Sequence, residues 1–237
     1  MAIHLSEFET SVKQIIQRTY NVKSFRFYVP DDFSYKAGQF LFVTVKCDGE
    51  EREKPFSISS SPTEKGYVEF TKKLTGHEFS NLLDRLREGD WARLRGPFGE
   101  FTFDGEYEKV CMLAGGIGIT AMRSICKLCT DKYPNTDIVL LYGNRTERDI
   151  VFREDFEEMQ KQNRNLKVVH VISEPDRDWR GYVGYIDKKT IETEVVDYLD
   201  RTFYTCGPPG LVETMEKILT ELHVPKEQII TEHFLGY

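Results

Sequence analysis

Cysteine is scarce in this sequence, with five residues among 237, and the number is odd. Small secreted domains use cysteines in even numbers as a disulfide framework, so that class is excluded and we expect a reduced, cytoplasmic protein. Cys126 and Cys129 form a C-x-x-C inside a predicted helix, but no second pair completes a four-ligand zinc site. Two packed helix cysteines are the favoured interpretation, and a redox disulfide is the alternative. The histidines are scattered and no plant-type iron–sulfur spacing occurs, so no metal site is predicted.

Long hydrophobic runs are also absent. No apolar run approaches the roughly 20 residues that a membrane helix needs. The N-terminus, MAIHLSEFET, lacks the basic and apolar regions of a signal peptide. Basic residues are outnumbered, 32 Lys and Arg against 39 Asp and Glu, and the net charge is −7. We therefore expect neither a membrane span nor a nucleic-acid partner.

The pattern of residues 1–104 predicts β-structure. Turn residues separate short runs rich in β-branched and aromatic residues, namely SFRFYV, FLFVTV, FSIS and YVEFTKKL. Many short strands with tight turns favour a closed antiparallel barrel or a sandwich. One helix is predicted at His77–Glu88, where apolar residues recur at helical spacing.

A different pattern starts at Lys109. Apolar runs (VCMLAG, IVLLYG, KVVHVIS, TFYTCG, QIITEHF) alternate with predicted helices at Ala121–Tyr133, Arg153–Gln162, Lys188–Leu199 and Gly210–His223. This alternation predicts a parallel sheet with helices on both faces. The polar stretch Asp104–Glu108 marks the boundary, so we predict two domains, 1–104 and 109–237.

Two glycine-rich turns follow strands of the predicted parallel sheet. Gly115, Gly116 and Gly118 lie between the first strand and a helix, where glycine lets the backbone approach a phosphate and the helix offers free N–H groups. The second turn, Cys206–Gly210, follows the fourth strand. Because ligands bind beyond the carboxyl ends of such strands, the two turns together predict a dinucleotide site. For each turn alone, a tight turn that needs small residues is the alternative, and Cys206 alone could be an ordinary buried cysteine.

Five motifs occur in a fixed order along the chain. They are Lys54–Ser57 (KPFS), Gly96–Phe101 (GPFGEF), Leu113–Thr120 (LAGGIGIT), Tyr204–Pro209 (YTCGPP) and Glu232–Tyr237 (EHFLGY). Together they resemble the ferredoxin–NADP reductase superfamily of flavin reductases, and the likeness covers essentially the whole chain. The resemblance implies an antiparallel Greek-key β-barrel that binds flavin, followed by an α/β parallel-sheet domain that binds NAD(P).

The resemblance assigns the flavin to the barrel. Phe56 would pack on the isoalloxazine, Lys54 would meet the flavin phosphate, Ser57 would hydrogen-bond flavin N5, and Tyr237 would cover the flavin face. Lysine and phenylalanine replace the arginine and tyrosine that are common in the family, and we expect FAD rather than FMN. The candidate cofactor-binding residues are Lys54, Pro55, Phe56, Ser57, Thr71, Lys72, Gly76, Phe79, Ser80 and Tyr237.

The resemblance also assigns NADH or NADPH to the glycine turns, with Cys206 beside the nicotinamide and Glu232 close to the flavin. The candidate nucleotide-binding residues are Gly115, Gly116, Gly118, Thr120, Asn144, Arg145, Ser173, Glu174, Cys206, Gly207 and Pro208. The candidate catalytic residues are Ser57, Cys206 and Glu232.

NADH is favoured over NADPH. Glu174 and Tyr182 stand where NADP-using relatives commonly have basic residues, and a carboxylate repels a 2′-phosphate while it accepts hydrogen bonds from ribose hydroxyls. Arg145, Arg177 and Arg180 are close in sequence and keep NADPH open.

The expected function is hydride transfer from NADH or NADPH to bound FAD, and then electron delivery to an acceptor. The acceptor would be a redox protein such as ferredoxin, a cytochrome or an oxygenase component, or a small molecule. A free-flavin or ferric-chelate reductase is the alternative within the class. A non-catalytic, flavin-binding electron-relay subunit is the alternative from another class.

Overall fold

The computed structural model describes residues 5–47 and 49–233. The first half contains six strands and one helix, which are β1 (Ser6–Thr19), β2 (Val22–Phe27), β3 (Phe40–Cys47), β4 (Glu50–Ser57), β5 (Val68–Lys73), α1 (Glu78–Arg85) and β6 (Trp91–Phe98). The strands form one antiparallel sheet in the order β4-β3-β6-β1-β2-β5. An isolated bridge between Ile58 and Phe70 joins the two ends of this sheet. Of the two predicted architectures, the sheet therefore adopts the barrel.

Side chains alternate in direction along each strand, and those that point inward fill the barrel. Buried Phe25, Phe27 and Phe70 stack with ring centroids 5.2 and 5.7 Å apart, and side chains of β3 complete the interior. Helix α1 buries Leu82 and Leu83 against this core. The helix is shorter than the predicted His77–Glu88, because Leu86 already has extended backbone (ψ 146°).

The second half is a six-stranded sheet in the order β10-β9-β8-β7-β11-β12, and every recorded pairing in it is parallel. Its elements are β7 (Lys109–Gly115), α2 (Ile119–Lys132), β8 (Asp137–Asn144), α3 (Arg153–Gln162), β9 (Leu166–Ile172), β10 (Tyr182–Val183), α4 (Lys188–Glu194), β11 (Thr202–Gly207), α5 (Pro209–Glu221) and β12 (Ile229–His233). Buried residues on the two sides of the sheet belong to two separate hydrophobic clusters, as expected for a sheet with helices on both faces. The predicted fold class is confirmed.

Two details differ from the sequence-based expectation. Strand β10 was not predicted, because two residues are too few to give a hydrophobic pattern. The predicted helix Lys188–Leu199 is wrong in its second half, since α4 ends at Glu194 and a short 3₁₀ turn occupies Tyr198–Asp200. The β-branched pair Val195 and Val196 disfavours helix continuation at this point.

The two halves pack against each other through a shared core. Val22, Ala37 and Phe103 of the first half belong to the same buried cluster as Met112 and Ile125 of the second. Among the described residues, no helix has the length and apolar character required to cross a membrane.

Candidate functional site

A cleft of about 900 Å³ lies beside β4 and reaches the carboxyl end of the parallel sheet. Eight of the ten predicted cofactor-binding residues line it, namely Lys54, Pro55, Phe56, Ser57, Thr71, Lys72, Phe79 and Ser80. Gly76 is outside the wall, although its neighbours Thr75 and His77 line it. Tyr237 lies outside the described residues. Thr120 and Glu232 of the second half complete the wall, so both halves contribute to this cleft.

Strand β4 places a cation, an aromatic ring and a hydroxyl at the wall of this first cleft. Lys54 is exposed, whereas Phe56 and Ser57 are half-buried. The ring of Phe56 stacks on Phe70 with centroids 4.4 Å apart and is tilted against Phe79 at 5.8 Å. A cation, a supported aromatic ring and a hydroxyl on one strand fit the phosphate, ring system and polar edge of a flavin. Lys72 adds a second amine, and burial lowers the pKa of this side chain.

Two hydroxyls of the predicted set already have partners inside the protein. Thr71 Oγ1 is 2.7 Å from Ser24 Oγ and 2.9 Å from Ser59 Oγ. Ser80 Oγ is 3.1 Å from Thr75 Oγ1. These hydroxyls therefore support the shape of the wall through internal hydrogen bonds.

Cys206 and Glu232 form a pair at the carboxyl ends of β11 and β12. The strand register places the two residues opposite each other, and Cys206 Sγ lies 3.8 Å from Glu232 Oε2. Cys206 is fully buried, and burial, together with the Glu232 carboxylate, raises the pKa of its thiol well above the ordinary value. Burial also raises the pKa of Glu232 to about 7, against a smaller lowering by the Cys206 hydrogen bond. Glu232 lines the first cleft, so a carboxyl group that titrates near neutrality faces it.

A second cleft, of about 840 Å³, opens at the carboxyl ends of the parallel strands. Seven of the predicted nucleotide-binding residues line it, namely Gly115, Gly116, Asn144, Arg145, Ser173, Glu174 and Pro208. Cys206, Gly207 and Gly118 are buried next to this wall without lining it, and Thr120 faces the first cleft instead. Ile117 lines both clefts. The glycine turn is therefore the partition between the two sites.

Two glycines of this turn have different reasons to be glycine. Gly116 has φ +52°, a conformation that disfavours a side chain, and no atom lies within 4 Å of its Cβ position. A Cβ on Gly118 would lie 2.3 Å from the backbone oxygen of Cys206. Gly118 thus allows the two predicted turns to pack directly against each other, which brings the ends of β7 and β11 together.

Asn144 at the end of β8 has an incomplete hydrogen-bond set. Its side chain is 8% exposed and lines the second cleft, and neither amide atom has a hydrogen-bond partner among the described residues. A buried amide without partners costs about 1–3 kcal/mol, so a polar ligand or water in this cleft would stabilise it. This feature fits a nucleotide with ribose and phosphate groups.

Sequence reasoning missed several residues that line the clefts, among them Tyr185 and Lys73. Tyr182, which the sequence suggested, donates its hydroxyl to Glu194, and Tyr185 is the tyrosine that lines the second cleft, with 82% of its surface exposed. Lys73 reaches the second cleft from β5, while Lys72 lines the first. Alternation along a strand is the signal that could have found Lys73, because adjacent residues point to opposite faces.

Glu174 lines the second cleft beside Arg145, just beyond the ends of β9 and β8. The Arg145 Nε to Glu174 Oε2 distance is 3.9 Å, and both side chains are about two-thirds exposed. The backbone also joins them, since Glu174 N–H donates to Arg145 O at 2.7 Å. A carboxylate and a guanidinium are therefore both available at this wall.

Comparison with known proteins agrees with this geometry. Residues 9–103 match the oxidoreductase FAD-binding domain family, and residues 112–217 match the oxidoreductase NAD-binding domain family. The chain is 33% identical over 214 residues to the glycine betaine monooxygenase reductase subunit of Pseudomonas aeruginosa strain UCBPP-PA14, covering 87% of this chain and 58% of that one. It is 29% identical to NADH-cytochrome b5 reductase 1 of Dictyostelium discoideum, covering 95% of this chain and 80% of that one.

A solved structure extends the comparison to three dimensions. The ferredoxin reductase in carbazole 1,9a-dioxygenase superposes with a TM-score of 0.85 at 26% identity, covering 99% of this chain and 71% of that one. The chain thus spans little more than half the length of the monooxygenase reductase relative and most of the length of the b5 reductase relative. With an FAD-binding and an NAD-binding oxidoreductase domain in the observed order, the chain belongs to the ferredoxin–NADP reductase superfamily of flavin reductases.

Proposed function

We propose that this chain is an NADH-dependent flavoprotein reductase that transfers electrons through bound FAD to a redox acceptor. The observation that carries the proposal is the wall that the two clefts share, because Ile117 lines both of them. Thr120 and Glu232 also line the first cleft, which thereby reaches the carboxyl end of the parallel sheet. A flavin in the first cleft and a nicotinamide in the second would meet at this partition, as hydride transfer requires. The division into domains 1–104 and 109–237 and a cytoplasmic location are parts of the same proposal.

The barrel residues would hold and orient the flavin. Lys54 provides a positive charge for its phosphate, Phe56 provides a ring for stacking, and Ser57 provides a hydroxyl at the cleft wall. FAD, when bound, accepts a hydride and releases electrons singly or in pairs. Asn144 and the Gly115–Gly116 backbone would bind the pyridine nucleotide on the other side of the partition.

Glu232 and Cys206 would control protons at the junction. Because burial keeps the Cys206 thiol protonated, it can donate to the Glu232 carboxylate but does not act as a thiolate. With a pKa of about 7, Glu232 is partly protonated at neutral pH and can hold or release a proton at the wall of the first cleft.

An oxygenase component is the acceptor that we favour. The glycine betaine relative is named as a monooxygenase reductase subunit, and the carbazole relative as a ferredoxin reductase in a dioxygenase. The names of other relatives specify cytochrome b5 as acceptor. NADH is the proposed donor because Glu174 presents a carboxylate at the wall of the second cleft, where a 2′-phosphate would be repelled.

Flavin retention tests the proposal against its alternatives. We expect the purified protein to carry about one FAD per chain after gel filtration, and to couple NADH oxidation to reduction of ferricyanide. Loss of flavin on the column, with turnover only when free flavin is added, would identify a free-flavin reductase. Retained flavin that neither NADH nor NADPH reduces would identify a non-catalytic relay subunit.

A further inference from the structure

Arg123, on the second turn of α2, is a buried cation that bridges the two halves. Its side chain is 6% exposed. It donates to the backbone oxygen of Ser59 at 3.0 Å and to Glu64 Oε1 at 3.1 Å, both in the first half. It also donates to Asp155 Oδ2 from Nη2 at 2.8 Å and from Nε at 3.0 Å, within the second half. Nη1 also donates to Glu64 Oε2, so five hydrogen bonds on both sides of the interface use all five donors of the guanidinium group.

The next helix residue repeats the connection. Ser124 Oγ donates to the backbone oxygen of Ser60 at 2.6 Å, and both residues are fully buried. Two consecutive residues of α2 therefore hold two consecutive carbonyls of the segment that follows Ser57. The same segment is fixed to the barrel, because Ser59 N–H donates to Glu69 O at 2.8 Å. Segment Ser57–Ser61 is thus held between the barrel and α2.

A balanced ion cluster surrounds this connection. Its members are three arginines and three acids, namely Arg18, Arg26, Arg123, Glu64, Glu69 and Asp155. Asp155 accepts from both Arg18 and Arg123, and both guanidinium groups lie over the ring of Phe152, at 4.9 and 5.6 Å. Phe152 itself has φ +62°, an uncommon conformation for an aromatic residue. A buried ion cluster of this kind is weak evidence for stability, and we infer that its role in this protein is to fix geometry.

We infer that Arg123 is a positioning residue for hydride transfer, which sets the place of the Ser57 strand end relative to the glycine turn. The inference rests on the proposed function. The distances from this connection to the two clefts are short. Arg123 lies one helical turn, about 6 Å, after Ile119 at the end of the glycine turn. Ser59 lies two residues, about 7 Å, after Ser57. A displacement of the Arg123 side chain would therefore move both Ser57 and the glycine turn, which lie on opposite sides of the partition.

The shape of arginine is essential to this role. Arg123→Lys keeps the positive charge but replaces a planar fork of donors by a single ammonium, which cannot reach Ser59 O, Glu64 and Asp155 together. Because a misplacement of about 1 Å can cost a hundredfold in rate, we expect the rate constant of flavin reduction by NADH to fall at least ~tenfold. The FAD Kd should stay within about threefold of the parent value, since Arg123 does not line the first cleft.

Arg201→Lys is the matched control. The side chain of Arg201 is 5% exposed and binds Asp137, Asp197 and the backbone oxygen of Val110, all inside the second half. Its replacement should destabilise the fold to a similar degree while leaving the rate constant of flavin reduction near that of the parent. Loss of stability alone is thereby separated from loss of positioning.

Hydrogen exchange of the apoprotein provides a readout that does not depend on activity. In Arg123→Lys we expect faster amide exchange in segment Ser57–Ser61 and at the start of α2, and in Arg201→Lys no change in these peptides. If Arg123→Lys fails to fold, Ser124→Ala tests the same connection, with the same direction of change in exchange and rate.

The outcomes separate the two ideas. Slower flavin reduction together with faster local exchange, both absent from Arg201→Lys, supports the positioning role. Unchanged exchange and an unchanged rate in the Arg123 or Ser124 variant overturn it, as does an equal rate loss in Arg201→Lys. A parent protein whose bound FAD is not reduced by NADH overturns the proposed function, and the inference with it.

Discussion

At the scale of single residues, burial changes the acid–base chemistry of the junction between the clefts. The resemblance placed Glu232 close to the flavin, and the structure adds that burial raises the pKa of its carboxyl group to about 7. Cys206 is held as a thiol by the same burial. The pair therefore supplies a proton-holding group where the proposed mechanism needs one, although neither residue alone reveals this from its neighbours in sequence.

Replacing Glu232 by glutamine should remove one component of the pH dependence of stability. The folded-state pKa of Glu232, about 7, lies above the ordinary value of 4.5. The folded state therefore loses stability as the pH rises from 4.5 to about 7. Between pH 5 and 8 this loss amounts to about 2 kcal/mol, from 1.36 kcal/mol per pKa unit. In urea unfolding of the apoproteins, the free energy of unfolding of Glu232→Gln relative to the parent should increase by that amount from pH 5 to pH 8. A constant difference across this range would mean that Glu232 titrates normally.

Lys54 should contribute directly to flavin affinity. Lys54→Ala removes a charge-assisted contact with the flavin phosphate, which is worth about 1.5–3 kcal/mol and corresponds to roughly a tenfold to hundredfold increase in Kd. Lys54→Arg should bind FAD as tightly as the parent or more tightly, because the guanidinium fork matches a phosphate. Fluorescence titration of the apoproteins measures both. An alanine variant with the parent Kd would show that β4 does not hold the phosphate.

Glu174 should control the choice between NADH and NADPH. Glu174→Ser removes the carboxylate that lies 3.9 Å from Arg145 Nε, and so leaves this guanidinium free to meet a 2′-phosphate. We expect kcat/KM for NADPH to rise at least ~tenfold relative to NADH, equal to about 1.4 kcal/mol. Steady-state kinetics with both nucleotides give this ratio. An unchanged ratio would place the discrimination elsewhere in the second cleft.

At the scale of elements, the unit formed by β7, the glycine turn and α2 determines the architecture of the site. The turn separates the two clefts, and α2 carries the connection to the barrel one helical turn later. This unit was readable from the sequence, because an apolar strand, closely spaced glycines and a helix follow one another directly. The contacts of Arg123 were not, since Ser59, Glu64 and Asp155 are 32 to 64 positions away in sequence.

The limits of sequence reasoning are also visible at this scale. The two sheet types and their order along the chain followed from hydrophobic patterns, and the ordered motifs identified many of the residues that line the two clefts. The order of the strands within each sheet was not predicted. Tyr185 was missed in favour of Tyr182 because the turn at Gly184, with φ +109°, redirects the chain after β10. Such a reversal depends on backbone geometry, which a residue pattern does not specify.

Gly118→Ala should disrupt the packing of the two turns. Its Cβ would lie 2.3 Å from the backbone oxygen of Cys206, and backbone must move to admit it, at a cost of about 1–3 kcal/mol. The control is Gly210→Ala in α5, where no atom lies within 4 Å of the Cβ position and helix propensity favours alanine by up to about 1 kcal/mol. Urea unfolding should therefore give opposite signs for the two variants. Equal stabilities would show that the turns do not need close approach.

At the scale of the whole molecule, two sheets of different type share one buried core and present two clefts to a common partition. The barrel offers a rigid wall with cationic and aromatic groups, and the parallel sheet offers strand ends with glycine turns. Residues of both halves line each of the two clefts. The proposed reaction is therefore a property of the interface between the halves.

Anaerobic reduction of the bound flavin tests this account most directly. The purified protein, mixed with NADH in a stopped-flow spectrometer without oxygen, should lose its flavin absorbance completely at about one NADH per FAD. At equal subsaturating concentration, NADPH should reduce it more slowly. A flavin spectrum that NADH leaves unchanged, in a protein that retains its FAD, would contradict the claim that the two clefts bring nicotinamide and flavin together.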